Sequence, residues 1–266
     1  MSASYRPLAL VTGGSSGIGT AYVRHLASTG YEILAVARRR EALEALKSEI
    51  EASHSTTVEV LPADLESDEG LSRVVERLRQ GSFVTMLVNN AGFAARGQIG
   101  EMDLAAFDRM IRLNVVAVAH LTDAAMARMR VENRGTIIQI SSGTMFMQLP
   151  GNSAYGASKN FVTGFTRTLQ AEAEGTGIRV QLLVPGVIAT DFHLVAGNDL
   201  SRFPPERVMS ADDLVTASLR ALELGEPVCI PSVPDIADWD AYVAAEQQLS
   251  ANASRDKPAA RYHVTM

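Results

Sequence analysis

Seven short apolar runs, separated by segments of helical spacing, set the strongest limit on what this chain can fold into. They are Pro7 to Val11, Glu32 to Val36, Val58 to Leu61, Met86 to Val88, Thr136 to Ile140, Arg179 to Val184 and Val228 to Ile230. Runs this short and this apolar read as strands buried on both faces. Between them, patterns such as Leu43, Leu46 and Ile50, or Leu71, Val74, Val75 and Leu78, recur at the spacing of one helix face. Strands that alternate with crossover helices form a parallel sheet, and right-handed crossovers cover both of its faces. The expectation is an α/β fold: a doubly wound parallel sheet of about seven strands in a three-layer α/β/α sandwich. Its ligand crevice opens at the carboxyl ends of the strands.

The 266 residues are 47% hydrophobic and 20% charged, enough for a sizeable core and consistent with one domain spanning 1–266. No internal repeat or low-complexity linker divides the chain. Two segments leave the alternation: a polar stretch from Asp191 to Met209, expected to act as a lid, and the tail from Ser250 to Met266. Ahead of the tail, Trp239, Tyr242, Val243 and Leu249 share helical spacing and are expected to pack in the core or between subunits.

Composition narrows the function classes. With 24 basic against 30 acidic residues, net −6, the chain lacks the basic footprint of a nucleic-acid binder. A single cysteine, Cys229, forms no internal disulfide. The apolar stretch Leu8 to Val11 is too short for a signal-peptide core, and the longest run elsewhere, Val115 to Ala119, is far from the roughly 18 residues of a membrane span. A soluble, cytoplasmic protein without a membrane partner is expected. His25, His54, His120, His193 and His263 form no metal-ligand spacing with Cys229, so no metal is expected.

Directly after the first run comes Thr12-Gly13-Gly14-Ser15-Ser16-Gly17-Ile18-Gly19, followed by a helical pattern from Ala21 to Ser28. A glycine loop between strand and helix lets the backbone approach a pyrophosphate, which the helix N-terminus then stabilises. The spacing, G-x3-G-x-G, differs from G-x-G-x-x-G, so the strand–loop–helix context carries the inference. The same residues also fit the nucleophile elbow G-x-S-x-G with Ser15 as nucleophile. That reading needs a later histidine, His193 or His263, and places a nucleophile where a pyrophosphate would sit. The second run ends in Ala37-Arg38-Arg39-Arg40. An acidic residue there binds the ribose 2′-hydroxyl of NAD, whereas arginine suits the 2′-phosphate of NADP. NADP(H) is therefore expected over NAD(H), with Arg38 the first contact and Arg39 assisting.

Tyr155 and Lys159 stand four apart, on one face of a helix that Asn152 or Ser153 can cap. An ammonium beside a phenol favours the phenolate and prepares Tyr155 for proton transfer. The fifth run ends in Ser141-Ser142, at the same crevice, where a hydroxyl can hydrogen-bond a substrate oxygen.

Together these motifs resemble the short-chain dehydrogenase/reductase family, a Rossmann-type fold, over the chain to about residue 232. The family's TGxxxGxG is matched by Thr12 to Gly19, its acidic residue after the third strand by Asp64, and its NNAG by Asn89 to Gly92. Its helix asparagine is matched by Asn114, its serine by Ser142, its YxxxK by Tyr155 and Lys159, and its PG-x-x-x-T by Pro185 to Thr190. The resemblance implies that Tyr155 exchanges the proton, Ser142 orients the substrate oxygen, and Asn114 holds a water in relay with Lys159, which also binds the nicotinamide ribose. It implies a cofactor lined by Gly13, Ser15, Ser16, Gly17, Ile18 and Gly19, by Asp64 and Leu65 at the adenine, and by Asn90, Ala91 and Gly92. Pro185, Gly186, Ile188 and Thr190 complete the nicotinamide end. Many NADP-using relatives carry a basic residue where this chain has Ser16, which leaves the 2′-phosphate to Arg38 and Arg39. A homo-oligomer, dimer or tetramer, is implied as well.

The expected substrate pocket draws on Phe93, on Gly143 to Met147 with Thr144 and Met145 foremost, and on Phe192 and His193. It is largely apolar, which predicts an uncharged hydrophobic ketone or its secondary alcohol. Arg96 and Arg202 are the cations that could instead greet a carboxylate or acyl thioester at the entrance. The other reading is an NADP-sensing module that binds the nucleotide and regulates a partner without significant turnover.

Overall fold

The computed structural model of the chain describes residues 6–192 and 200–262. All seven predicted strands are present: β1 (Leu8–Thr12), β2 (Glu32–Ala37), β3 (Val58–Pro62), β4 (Val84–Asn89), β5 (Gly135–Ile140), β6 (Ile178–Leu183) and, at the end, Val228–Cys229. They form one sheet in which every neighbouring pair is parallel. In chain order the connecting helices are α1 (Gly17–Ser28), α2 (Arg40–Ser53), α3 (Asp68–Gln80), α4 (Leu104–Ile111), α5 (Val118–Glu132), α6 (Ser153–Ala173) and α7 (Ala211–Leu224).

The strand order explains where the crevice lies. With Val187–Ile188 as β7, Val208–Met209 as β8 and Val228–Cys229 as β9, the sheet runs β3-β2-β1-β4-β5-β6-β9. The chain winds outward from β1 in one direction and then returns to β4 on its other side. The switch point between β1 and β4 opens a crevice at their carboxyl ends, which are Thr12 and Asn89.

Side-chain alternation builds both cores. In β1, Ala9 and Val11 join Tyr22, Leu26, Leu43 and Leu214 on one face, while Leu8 and Leu10 join Val74, Leu121 and Met129 on the other. All five residues of β1 are therefore buried, which is why the run reads as continuously apolar.

The segment expected as a lid is tied down at its end. Residues 200–209 hold two short 3-10 turns, Leu200–Arg202 and Pro205–Arg207, and then β8, which pairs in parallel with β7. Helices α4 and α5 are joined by a π-helical turn, Arg112–Ala117, into a helix from Leu104 to Glu132 that is long and apolar enough to cross a membrane. Half of its most apolar window is buried inside the fold. Sequence inspection for contiguous runs missed this length because polar residues interrupt it every few positions.

The chain divides after Pro231 into two compact units. The second contains a helix, α8 (Ala237–Ser250), in which Trp239 is buried and stacks on Tyr242 with ring centroids 5.3 Å apart. Of the face expected to pack, Leu249 is 76% exposed and Tyr242 41%.

Candidate active site

Thr12 ends β1 with a buried hydroxyl that fastens two loops together. It donates to the Val88 carbonyl at 3.3 Å and accepts from the N–H groups of Asn90 and Ala91, each at 3.0 Å. The Asn90 amide donates back to the Thr12 carbonyl at 2.7 Å. Gly13 takes a positive φ of 67°, and a side chain there would strike the Asn90 amide. A Cβ on Gly19 would overlap the Gly13 carbonyl, so the first turn of α1 lies directly against the loop. Ser16 precedes α1 in extended conformation without a side-chain cap, leaving that helix end open to an anion. Thr190 stands over the loop, its methyl 3.1 Å from where a Gly17 Cβ would project. A backbone cradle that any side chain would fill is what a pyrophosphate requires, and these residues fit a nicotinamide dinucleotide. His193 and His263, the two histidines that the nucleophile-elbow reading of Ser15 needs, lie outside the described residues.

At the end of β2, Arg39 donates from Nη2 to the Ser15 carbonyl at 3.4 Å, which draws the guanidinium over the glycine loop. Arg38 turns toward the loop after β3 and pairs with Glu66 at 3.1 Å. Asp64 accepts from the Glu66 N–H at 3.0 Å and lines an open hollow of ≈ 210 Å³ together with Arg38, Ser67 and Arg73. Leu65 is buried in the core, so only its backbone can face the crevice. Glu66 is the residue that reading the sequence missed. It lies in the turn after β3 and carries no local signal of its own; the pairing of β3 with β2 brings it to Arg38.

Three consecutive residues at the end of β5 reach into α6. The Ile140 carbonyl accepts from Lys159 Nζ at 2.9 Å. Ser141 donates to the Lys159 carbonyl at 2.9 Å and shares a 2.8 Å hydrogen bond with Thr163, so this serine anchors the helix. The Ser142 side chain faces the Tyr155 phenol and favours its ionised form. Asn114 sits in the π-helical turn, a widening that aims its amide at the crevice. That amide donates to the Phe93 carbonyl at 2.9 Å and to Ser158 Oγ at 3.1 Å, and accepts from the Phe93 N–H at 3.2 Å. Between the two groups lies Gly92, where a Cβ would stand 3.0 Å from Asn114 Oδ1 and 3.7 Å from Lys159 Nζ. The four expected catalytic side chains therefore converge.

Burial dominates the electrostatics here. It pushes Tyr155 up to about 12, opposed by the Ser142 hydrogen bond and by the charge of Arg96. It pulls Lys159 down to about 8. The Lys159 ammonium lies 5.8 Å from the Tyr155 ring centroid.

On the substrate side, the Phe192 ring lies 5.9 Å from that of Tyr155, and Phe93 packs on the same cluster with Ala94 and Ala95. Met145, expected to line the pocket, is instead turned inward, its sulfur accepting from Thr163 at 3.3 Å. The exposed apolar side chains of this turn are Phe146 and Met147. Thr144 donates its N–H to Ser142 Oγ at 3.2 Å. Gly97 donates to the Gly151 carbonyl at 2.9 Å and so holds Arg96 at the rim near Tyr155. The Pro185 carbonyl accepts from Gly143 at 2.8 Å and Ile188 is buried in β7, while Gly186 lies open between them. A second hollow, lined by Gln170, Arg179 and Pro227, lies at the amino ends of β6 and β9, away from this chemistry.

Comparison with known proteins agrees with this geometry. Residues 7–199 match the sequence model of the family described as short chain dehydrogenase. A short-chain dehydrogenase from Sphingobium yanoikuyae, solved in complex with NADPH, superposes with a TM-score of 0.93 at 35% identity, covering 97% of this chain and 100% of that one. The bulky-bulky ketone specific alcohol dehydrogenase from Comamonas testosteroni superposes with a TM-score of 0.88 at 32% identity, over 96% of this chain and 98% of that one. Sulfoacetaldehyde reductase 2 from Chromohalobacter salexigens is 34% identical over 191 residues, 71% of this chain and 75% of that protein. The chain belongs to the short-chain dehydrogenase family and is an oxidoreductase of that type, built to bind a nicotinamide cofactor and a small-molecule substrate.

Proposed function

We propose that the protein is an NADP(H)-dependent carbonyl reductase and alcohol dehydrogenase acting on uncharged, hydrophobic ketones and the corresponding secondary alcohols. The observation that carries this reading is the convergence of Ser142, Tyr155, Lys159 and Asn114 beside an apolar wall of Phe93 and Phe192. The bound nicotinamide supplies the hydride for reduction and accepts it in oxidation. Ser142 holds the carbonyl oxygen, and Tyr155 donates its proton to that oxygen as it gains charge. In oxidation Tyr155 takes the proton back. Lys159, fixed by Ile140 with its ammonium 5.8 Å from the Tyr155 ring, is the charge assigned to work against the burial that holds the phenol protonated. Asn114 is bound to Phe93 and Ser158, so it orients the loop after β4 against α6 in addition to any water it holds.

The Arg38 and Arg39 side chains support NADP(H) over NAD(H), and the solved relative in complex with NADPH is in keeping with it. A cytoplasmic, homo-oligomeric enzyme remains part of the same reading. The test is a steady-state panel of bulky aromatic and alicyclic ketones with NADPH and with NADH. NADPH-linked reduction of several members is expected. Tight NADPH binding without turnover on any ketone or alcohol would favour the nucleotide-sensing module instead.

One observation favours a second substrate class: Arg96 is an exposed cation directly after Ala94 and Ala95 of the Phe93 cluster. A cation at the rim suits a carboxylate or sulfonate on the substrate. Ketones and aldehydes bearing such a group belong in the panel, and an activity on them that Arg96→Ala removes would shift the assignment.

A further inference from the structure

Glu66 is placed where a cofactor site for a phosphorylated ribose has least use for a carboxylate. Its side chain is only 11% exposed, 3.1 Å from Arg38 Nη1 and 3.7 Å from Arg109 Nε, and both guanidiniums are more than half exposed. Arg109 arrives from α4, on the other side of the loop after β3. Asp64 and Ser67, whose hydroxyl donates to the Asp64 carbonyl at 2.9 Å, hold the turn that presents Glu66. One shielded carboxylate thus grips two cations, one of which faces the hollow beside the end of β2.

We propose that Glu66 is a specificity-determining residue for the cofactor: its carboxylate competes with the 2′-phosphate for Arg38, which lowers the preference for NADPH below what Arg38 alone would give. The proposal rests on the assignment of Arg38 to the 2′-phosphate. Glu66 holds Nη1 of Arg38, and a phosphate that shares this guanidinium meets both a donor already engaged and a carboxylate that repels it across a short distance. Arg109 makes the exchange of partners feasible. When Arg38 leaves, Glu66 keeps a cation, and a shielded carboxylate is not stranded without one. The cluster therefore works as a brake on discrimination, set by a residue that need not touch the nucleotide.

The experiment is fluorescence titration of the purified full chain with NADPH and with NADH, at a pH near 8 where the 2′-phosphate is fully ionised. The isosteric Glu66→Gln is expected to tighten NADPH binding about fivefold, with NADH within twofold of wild type. In an Arg38→Ala background the same change is expected to do less than half as much. Unchanged or weaker NADPH binding in Glu66→Gln overturns the proposal and makes Glu66 a support for Arg38. A gain that survives in full without Arg38 overturns it too, since the effect is then not competition. Should Glu66→Gln prove unstable in thermal unfolding, Arg109→Ala decides. It leaves Arg38 as the only cation on Glu66, so NADPH binding is expected to weaken about twofold, and tighter binding overturns the proposal. If Arg38→Ala alone leaves the ratio of NADPH to NADH affinity untouched, the NADP(H) assignment itself falls, and this inference with it.

Discussion

The two ends of the crevice are built on opposite principles. At the nicotinamide end, Asn114, Tyr155 and Lys159 are nearly inaccessible, and their polar atoms are held by Phe93, Ser142, Ser158 and Ile140. At the adenosine end, Arg38 and Arg39 lie on the surface and make single contacts, to Glu66 and to the Ser15 carbonyl. A dry, hydrogen-bonded cluster acts through fixed geometry and shifted proton affinities. A wet fork acts through charge that salt can screen. Chemistry is placed where water is excluded, and the choice of cofactor where adjustment costs little.

The sharpest break of that contrast is Tyr155→Phe. Removing the phenol hydroxyl takes away the group assigned to proton exchange, and a fall in turnover of about 10²–10⁴ is expected. NADPH affinity, read by titration, should stay within twofold. Undiminished turnover would remove Tyr155 from the mechanism.

A second break concerns cost. Lys159 is pulled down to about 8 by burial, so the fold binds its proton less tightly than the unfolded chain does. Between that value and the ordinary lysine range the unfolded state holds more protons, and stability from this group rises with pH. At pH 7 the buried ammonium is a net penalty, partly offset by its bond to Ile140. Lys159→Met should therefore stabilise the protein by about 1–2 kcal/mol at pH 7, in denaturant unfolding, while turnover collapses. The advantage should shrink as pH rises through 8 toward 10. A variant less stable than wild type at pH 7 would show that the Ile140 bond outweighs burial.

Asn114→Ala tests the bonded network rather than the charge. It leaves the Phe93 backbone groups and Ser158 without their partner, and a loss of about 1–3 kcal/mol in stability is expected, together with slower turnover. A purely kinetic effect, with unfolding unchanged, would mean that the amide acts on water alone.

How much of this was legible in the sequence follows the same divide. The seven strands were readable because a sheet covered on both faces demands uninterrupted apolar runs, and the glycine loop because the backbone of Gly13 and Gly19 leaves no room for anything else. Tyr155, Lys159 and Ser142 were readable through spacing and position at strand ends. What escaped depends on tertiary neighbours. Glu66 has no local signature until β2 and β3 are set side by side. The inward turn of Met145 comes from Thr163, eighteen residues along the chain. The two-residue pairing of β7 with β8 is too short to leave a pattern.

The gentlest test is salt. Arg38 and Arg39 are exposed, so their attraction for a 2′-phosphate should be screened as the Debye length shrinks. Raising ionic strength from about 0.05 to about 0.5 M is expected to weaken NADPH binding roughly threefold more than NADH binding. Turnover at saturating cofactor should hardly move, because Lys159, the buried charge beside Tyr155, is shielded by protein rather than by water. Equal salt dependence for the two nucleotides would place the discriminating contact inside the fold. A salt-sensitive turnover would mean that the catalytic cluster is wetter than its burial indicates, and the contrast between the two ends would have to be redrawn.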